Sequence, residues 1–308
     1  MQILVVIIAM VLGLLYSFNF EGFIFVPAIC LFAGLFMVMP TLFNFKLRDF
    51  SQAKDHKTII AKNLLANFLI LPLIAIGIGL LAGDFGIAGG LFLLSLLGGG
   101  GMVMHWIKKS HANTHIGFIL LFINLILLSL SFILFEQFGL RLASYFNNTY
   151  YTLAGDSPIH LRGAFMLLVV IPFVVSRILL RFFPKVPMLM QKQRQKLSNI
   201  SIFIIIFYLF ALESNEVLLD IGYLLFIKAF FATLSFYILA FIVAKLFYNT
   251  KDENSRAAFW HIVTRYITLA LIISTFTMGS FGVTMILPIM IAYFIQVPFA
   301  IYYNRHLV

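Results

Sequence analysis

Four consecutive glycines stand at the centre of an apolar segment, residues 87–107, that is long enough to cross a membrane. These are Gly98, Gly99, Gly100 and Gly101. Each glycine in a helix interior costs about 1 kcal/mol relative to alanine, so four in a row favour a break in the helix. A broken helix frees backbone N–H and C=O groups and directs two helix ends at a ligand. The glycines therefore predict a substrate-binding site, with close packing of helix backbones as the alternative.

A second apolar segment carries two ionisable side chains four residues apart, His261 and Arg265. On a helix this spacing places both on one face, and Arg265 would lie about 13–15 Å along the axis from the cytoplasmic end. An arginine at mid-membrane costs about 2.5–3.5 kcal/mol on insertion scales, so a partner must offset its charge. A small anionic organic substrate is the functional interpretation. Snorkelling, or pairing with carbonyl groups freed by the broken helix, is the alternative.

Further polar side chains near these positions complete the predicted site. Besides the four glycines, the predicted substrate-binding residues are His261, Thr264, Arg265, Tyr266, Thr268 and Asn124. The predicted ion-coupling residues are His261 and His105, because only histidine titrates near neutral pH within the predicted spans. For His105, an interfacial position beside Trp106 explains the residue equally well.

The acidic residues contribute less to the predicted site. All eleven Asp and Glu are expected in loops or at the ends of spans, and Glu213 is the nearest to the membrane interior. The sequence contains no spaced nucleophile and base and no convincing set of metal ligands. It therefore predicts no enzyme, no catalytic residue, no metal site and no cofactor. Sodium is not favoured as the coupling ion, because it prefers oxygen ligands that usually include a carboxylate.

The composition indicates a membrane protein. Hydrophobic residues make up 62% of the 308-residue chain and charged residues 10%, with a mean hydropathy of +1.06. Soluble domains are about 45–50% apolar and about 25% charged. Apolar runs of about 20 residues recur along the chain, which predicts a polytopic helical protein in the lipid bilayer. The net charge of +10 arises in short loops between these runs and indicates no nucleic-acid partner.

Charge in the loops orients the predicted spans. Most of the 21 lysines and arginines fall in one alternate set of loops, which places both termini in the cytoplasm. The compactness of the chain suggests a bacterial protein and hence the bacterial inner membrane. The first span is short, and whether it crosses the membrane fully is left open. The ten predicted spans lie at about residues 2–17, 22–45, 58–82, 86–107, 115–137, 163–183, 199–217, 222–247, 257–278 and 281–303.

A connector divides the spans into two sets of five. Residues 1–137 are predicted to form the first five-helix repeat, 138–162 an extracytoplasmic connector, and 163–308 the second five-helix repeat. Because five is odd, the second set enters the membrane from the opposite side, an arrangement common in secondary transporters. The fourth span of each set is unusual, since one holds the glycines and the other holds His261 and Arg265.

Over most of its length the sequence resembles the bile acid:sodium symporter family and its wider superfamily of ten-span transporters, with arsenite exporters and auxin-efflux-type carriers. The resemblance rests on GGGGMVMHWIKKSHANTHIGF between the fourth and fifth spans, GLFMVMPTLFNFKLRDF in the second span and loop, and the ninth span after SRAAFW. It implies an all-α fold of ten helices in two inverted repeats. In this fold the broken helices of spans four and nine cross beside the substrate, next to a panel domain.

Two departures from the family concern the sodium chemistry that the resemblance implies. Where the family has a small polar residue and Asn after its glycine pair, this chain has Gly101 and Met102. Where the family has Glu followed four residues later by Gln and Asn, this chain has His261, Arg265 and Tyr266. A ligating carboxylate is thus replaced by histidine and a neutral amide by a cation. The resemblance carries over the location of the site without its sodium ligands.

The sequence therefore predicts secondary active transport of a small organic anion by alternating access. Arg265 would attract the anion, and His261 would add a hydrogen bond or a coupled proton. One alternative is a sodium-coupled symporter whose ligands align differently, with oxygens from Glu213, hydroxyl groups or freed carbonyls. Another is a non-transporting membrane sensor or scaffold on the same fold. The substrate, the coupling ion, the direction of transport and homo-oligomer formation are left open.

Overall fold

The structure is a computed structural model that describes most of the chain. The described residues are 2–20, 22–23, 55–100, 102–146, 171–211 and 223–307, with the single positions 29, 32, 33, 39 and 43. Outside them lie Gly101, Glu213, most of the predicted second span, the connector beyond residue 146, the beginning of the predicted sixth span and the end of the predicted seventh.

The regular elements in this part of the chain are all helices, as the composition predicts. A π-helical turn lies at Ala66–Ile70, and short 3₁₀ turns lie at Ala143–Tyr145 and Val283–Met285. In chain order the helices are α1 (Gln2–Asn19), α2 (Lys57–Ala82), α3 (Phe85–Leu96), α4 (Val103–Lys109), α5 (Thr114–Ile126), α6 (Leu128–Leu142), α7 (Ile171–Phe182), α8 (Lys185–Lys192), α9 (Arg194–Phe210), α10 (Tyr223–Phe247), α11 (Glu253–Val263), α12 (Ile267–Phe281) and α13 (Ile286–Leu307).

Three helices are long and apolar enough to cross a membrane by themselves, namely Lys57–Ala82, Tyr223–Phe247 and Ile286–Arg305. Helices α5 and α6 pass the same test as a pair, with a bend of 49° between them. Helices of this length and hydropathy indicate an integral membrane protein. The count of ten spans stays a prediction.

The bend between α5 and α6 falls within one predicted span, residues 115–137. Two serine hydroxyls bond back onto the helix there: Ser129 Oγ donates to the Ile126 carbonyl at 3.5 Å, and Ser131 Oγ donates to the Leu127 carbonyl at 3.4 Å. Serine hydroxyls that bond back in this way often bend a helix. The bend between α5 and α6 therefore coincides with these two serine hydrogen bonds.

The chain divides into two compact units, and each unit takes residues from both predicted repeats. One unit comprises Met1–Asn44 and His160–Gly222, and the other comprises Phe45–Ile159 and Tyr223–Val308. Helices α1 and α7 to α9 belong to the first unit. Helices α2 to α6 and α10 to α13 belong to the second unit, which also holds the predicted site.

In the first unit, α1 packs closely against α9. A Cβ on Gly13 would lie 2.6 Å from the Phe207 carbonyl oxygen and 2.7 Å from the Phe210 Cβ, so the two helices approach at glycine. Tyr16 stacks on Phe23 with ring centroids 4.5 Å apart. Close approach at a small residue, with aromatic rings beside it, is typical of helix packing in membranes.

In the second unit, α3 lies in the core, because all of its residues are buried. Its first turn is capped by Asp84, whose carboxylate accepts hydrogen bonds from the Ile87 N–H and the Thr284 hydroxyl, both at 2.8 Å. Phe85 stacks on Phe281 with ring centroids 4.9 Å apart. The helix that leads to the glycines is therefore fixed at its start and enclosed along its length.

The contact between α2 and α3 depends on Gly79, where a Cβ would lie 2.4 Å from the Ala88 Cβ. We expect Gly79→Ala to lower the melting temperature of the purified protein, because overpacking costs about 1–3 kcal/mol. Gly77 on the same helix has nothing within 4 Å of the Cβ position. Gly77→Ala should therefore keep or raise the melting temperature, since alanine favours a helix by about 1 kcal/mol. Equal losses from both substitutions would contradict this packing.

Candidate functional site

The glycine segment interrupts the helix, which confirms the predicted break. Helix α3 ends at Leu96 and α4 begins at Val103. Between them, Gly99 has a φ of 72° and Gly100 a φ of 152°. Residues with side chains rarely adopt these backbone angles, so glycine is required for the conformation of the chain here.

Close approach by other helices requires glycine at the break as well. A Cβ on Gly98 would lie 2.5 Å from the Asn67 Nδ2. A Cβ on Gly99 would lie 2.5 Å from the His261 Nδ1. The glycines therefore interrupt the helix and also allow close packing, so both interpretations made from the sequence apply.

A second break, residues 264–266, separates α11 from α12. Helix α11 ends at Val263, where the N–H and the hydroxyl of Thr264 both donate to the same carbonyl one turn earlier. Thr264 then adopts an extended conformation, with φ −97° and ψ 130°. The expectation that His261 and Arg265 share one helix face is therefore wrong, because His261 lies in the helix and Arg265 lies in the break.

The two breaks pair with each other. Residues 97–100 and 264–266, called the crossing below, are joined by an antiparallel bridge between Gly98 and Arg265. The Tyr266 N–H donates to a carbonyl of the first break at 2.9 Å. Backbone groups that a broken helix leaves without intrahelical partners are thereby bonded to each other. The contact between spans four and nine that the family resemblance implies is present at these residues.

Amide side chains from two neighbouring helices bind the backbone of the crossing. Asn124 on α5 donates from Nδ2 to the Gly98 carbonyl at 3.2 Å. Gln296 on α13 accepts from the Arg265 N–H at 2.6 Å and donates to the Arg265 carbonyl at 3.4 Å. The Tyr237 hydroxyl donates to the same Gln296 oxygen at 2.8 Å, which fixes the orientation of the amide. Each break is thus held by an amide from another helix.

The guanidinium of Arg265 is buried, with 2% of the residue exposed. Its Nη1 donates to Asn67 Oδ1 at 2.8 Å and to the Ser95 carbonyl at 3.1 Å, and its Nη2 donates to the Ile262 carbonyl. Asn67 is oriented by a bond from its own Nδ2 to Asn63 Oδ1 at 2.9 Å. All three acceptors are neutral, and within the described part of the chain no carboxylate accepts a bond from this guanidinium.

His261 contacts the first break at Gly99. The residue is fully buried, and its Nε2 lies 2.9 Å from the Gly117 carbonyl. Its Nδ1 lies beside Gly99 and has no hydrogen-bond partner among residues of described position. Since one ring nitrogen contacts a carbonyl and the other is enclosed, His261 packs as part of the crossing.

A small, mostly apolar pocket borders the crossing, and its volume of about 10 Å³ is enough for a single water molecule. Asn124 and Tyr266 are the lining residues with polar side chains, and neither His261 nor Arg265 lines it. The residues that line it are Leu97, Gly98, Leu121, Asn124, Leu125, Leu128, Tyr266 and Leu269. The pocket therefore offers leucine side chains and one amide close to the first break, and the residues that bond the Arg265 guanidinium do not line it.

Most of the predicted site residues come together at the crossing or its edge. His105 does not, because it is exposed on α4, edge-on to Trp106 with ring centroids 5.2 Å apart. Gly101 and the side chain of Thr268, in the first turn of α12, lie outside the described part of the structure. The residues brought together are Gly98, Gly99, Gly100, Asn124, His261, Thr264, Arg265 and Tyr266.

Four further polar residues at the crossing were not predicted from the sequence. They are Asn63, Asn67, Tyr237 and Gln296. Each falls inside a predicted apolar span, where polar side chains are rare and usually bind protein groups. The amides of Asn63 and Asn67, one helical turn apart, were the clearest signal available.

The chain matches the model of a known protein family. The family model described as Sodium Bile acid symporter family matches residues 28–220, well over half of the chain. The match includes the glycine break and ends before the second break. A search of the curated proteins finds no match.

The fit between Gly99 and His261 can be separated from backbone strain. Gly99→Ala should lower the melting temperature more than Gly83→Ala, because both positions have a φ near 70° but only Gly99 has an atom in the way. Adding a side chain at such an angle costs about 1–2 kcal/mol. We further expect Gly99→Ala combined with His261→Ala to recover part of the excess loss. Thermal unfolding of the purified variants measures both effects, and equal losses at Gly83 and Gly99 would contradict the contact.

Proposed function

Because the chain belongs to the sodium bile acid symporter family, we propose that it is a secondary transporter of a small organic anion that works by alternating access. Members of this family are transporters and not enzymes. The observation that carries the proposal is the crossing of two broken helices, which holds a buried cation and borders a small pocket. Crossings of discontinuous helices form the substrate sites of many secondary transporters.

Two observations support the proposed pair of inverted five-helix repeats. In each half, the predicted fifth span supplies an amide to the break in the fourth span, Asn124 to Gly98 and Gln296 to Arg265. The compact units also group equivalent spans, since the first two predicted spans of each half fall in one unit and the last three in the other. A division into two bodies suits alternating access by rigid movement of one bundle.

The preference for an anion is proposed from the charge of Arg265. Its described hydrogen bonds go to neutral oxygens, so a full positive charge stays uncompensated by these partners in a medium of low dielectric constant. The backbone of Arg265 pairs with Gly98, and Gly98 lines the pocket. Since the pocket has room for one water molecule in this structure, an organic anion would enter only when the pocket widens. Its carboxylate would then be attracted by this charge, while the leucines would contact its apolar part.

A panel of small carboxylates, each with its uncharged carboxamide, tests the proposal by thermal shift. The carboxylates should raise the melting temperature more than the amides in the wild-type protein, because only they interact with the Arg265 charge. R265K, which keeps the charge, should keep this preference, and R265Q should lose it. Equal shifts from carboxylates and amides would contradict the anion preference.

Uptake of the best binder into proteoliposomes tests transport itself. We expect saturable accumulation that the same carboxylate competes for and its amide does not. Binding without any uptake in either direction would favour the sensor or scaffold interpretation over transport.

The proposed topology predicts where reporters are found. A reporter fused after Val308 should be cytoplasmic, and one inserted near Asn148 should be external, because the basic loops remain on the cytoplasmic side. Reporter activity in intact cells measures both positions. A cytoplasmic signal from the insertion near Asn148 would contradict the division into five and five spans.

A further inference from the structure

We propose that the Arg265 guanidinium is a built-in cation that takes the oxygen atoms at the crossing which would otherwise bind a coupling sodium ion. The chain would then bind no sodium at this place and would not need it for substrate binding there. The inference deepens the proposed transport function and rests on it. The absence of a sodium site at the crossing would distinguish this chain from the sodium dependence that the name of its family indicates.

The acceptors of the guanidinium are the kind of oxygens that bind a coupling cation. Ser95 lies in the last turn of α3 and Ile262 in the last turn of α11, so both carbonyls are at the negative ends of helix dipoles. Asn67 adds a side-chain oxygen from the π-helical turn of α2. In secondary transporters, helix C-termini and unwound carbonyls coordinate sodium or protons. Here the guanidinium bonds to such a set.

These oxygens do not fit a sodium ion in addition to Arg265. Both terminal nitrogens of the guanidinium are used, Nη1 by two acceptors and Nη2 by the third. A sodium ion bound to the same oxygens would lie directly against a buried charge of equal sign, and such charges repel strongly where the dielectric constant is low. No carboxylate of the described residues bonds to the guanidinium and offsets a second cation.

A cation that is part of the chain differs from a dissolved one in a measurable way. Its occupancy does not depend on the sodium concentration, and it cannot dissociate. By linkage, sodium changes the stability or substrate affinity of a protein only if it binds one state better than another. The wild-type protein should therefore show no saturable response to sodium, and removal of the guanidinium should create one.

A sodium titration of the purified protein without substrate tests this, with choline replacing sodium at constant ionic strength so that screening stays fixed. The melting temperature of the wild-type protein should not change. R265Q leaves the oxygens without a cation, so its melting temperature should start lower in choline and rise saturably by about 2–4 °C with sodium. N67D combined with R265Q adds a carboxylate to the same oxygens and should reach half-saturation at a lower sodium concentration.

R265K is the matched control, because its ammonium keeps the positive charge near these oxygens and it should stay insensitive to sodium. Saturable stabilisation of the wild-type protein by sodium would overturn the proposal, and so would a folded R265Q that gains none. If R265Q does not fold, the wild-type titration still decides. None of these measurements uses a substrate, so a failure to transport any anion would refute the proposed function and leave this result unchanged.

Discussion

The crossing depends on one buried cation and the carbonyls that hold it. Helices α3 and α11 both end there, and the carbonyls of Ser95 and Ile262 in their last turns both bond to Arg265. A buried carbonyl without a partner costs about 1–3 kcal/mol, and two negative helix ends close together repel each other. The planar guanidinium donates hydrogen bonds to the carbonyls in several directions at once, and its full positive charge offsets the repulsion between the two helix ends. The cation in turn is tolerable inside the second unit only because these oxygens surround it.

Other contacts keep the carbonyls and the cation together. Gly98 and Gly99 leave room for Asn67 and His261, and the amide of Gln296 bonds both backbone groups of Arg265. Farther along α11, the Trp260 Nε1 donates to the Ser110 hydroxyl at 2.8 Å, and its ring stacks on Trp106 of α4 at 5.7 Å. The segments on either side of each break are therefore tied to the other break's helices.

The first break could be predicted from its own residues, whereas the second was implied by the family resemblance alone, for physical reasons. Contiguous glycines lower helix stability locally, so Gly98 to Gly100 indicate a break without knowledge of any neighbour. The segment around Thr264 has no glycine or proline, and its helix ends because Arg265 and Tyr266 pair with the first break. That pairing joins residues more than 160 positions apart. Pairing of Arg265 with carbonyls freed by a broken helix was the alternative expected from the sequence, and the carbonyls of Ser95 and Ile262 confirm it. The third partner, Asn67, could not be predicted, because it lies 198 positions away on another helix.

The bonding of Arg265 also determines how it can act on a substrate. The two terminal nitrogens of the guanidinium hold the helix ends, and its Nε, which has no hydrogen-bond partner among the described residues, is buried. Under the proposed function, the charge would act on an anion near Gly98 through its field, while the bonds at the crossing are kept. Attraction of this kind would select for charge, whereas the leucines that line the pocket would contact the apolar part of the ligand. Arg265 would then serve both the structure of the crossing and the recognition of the substrate.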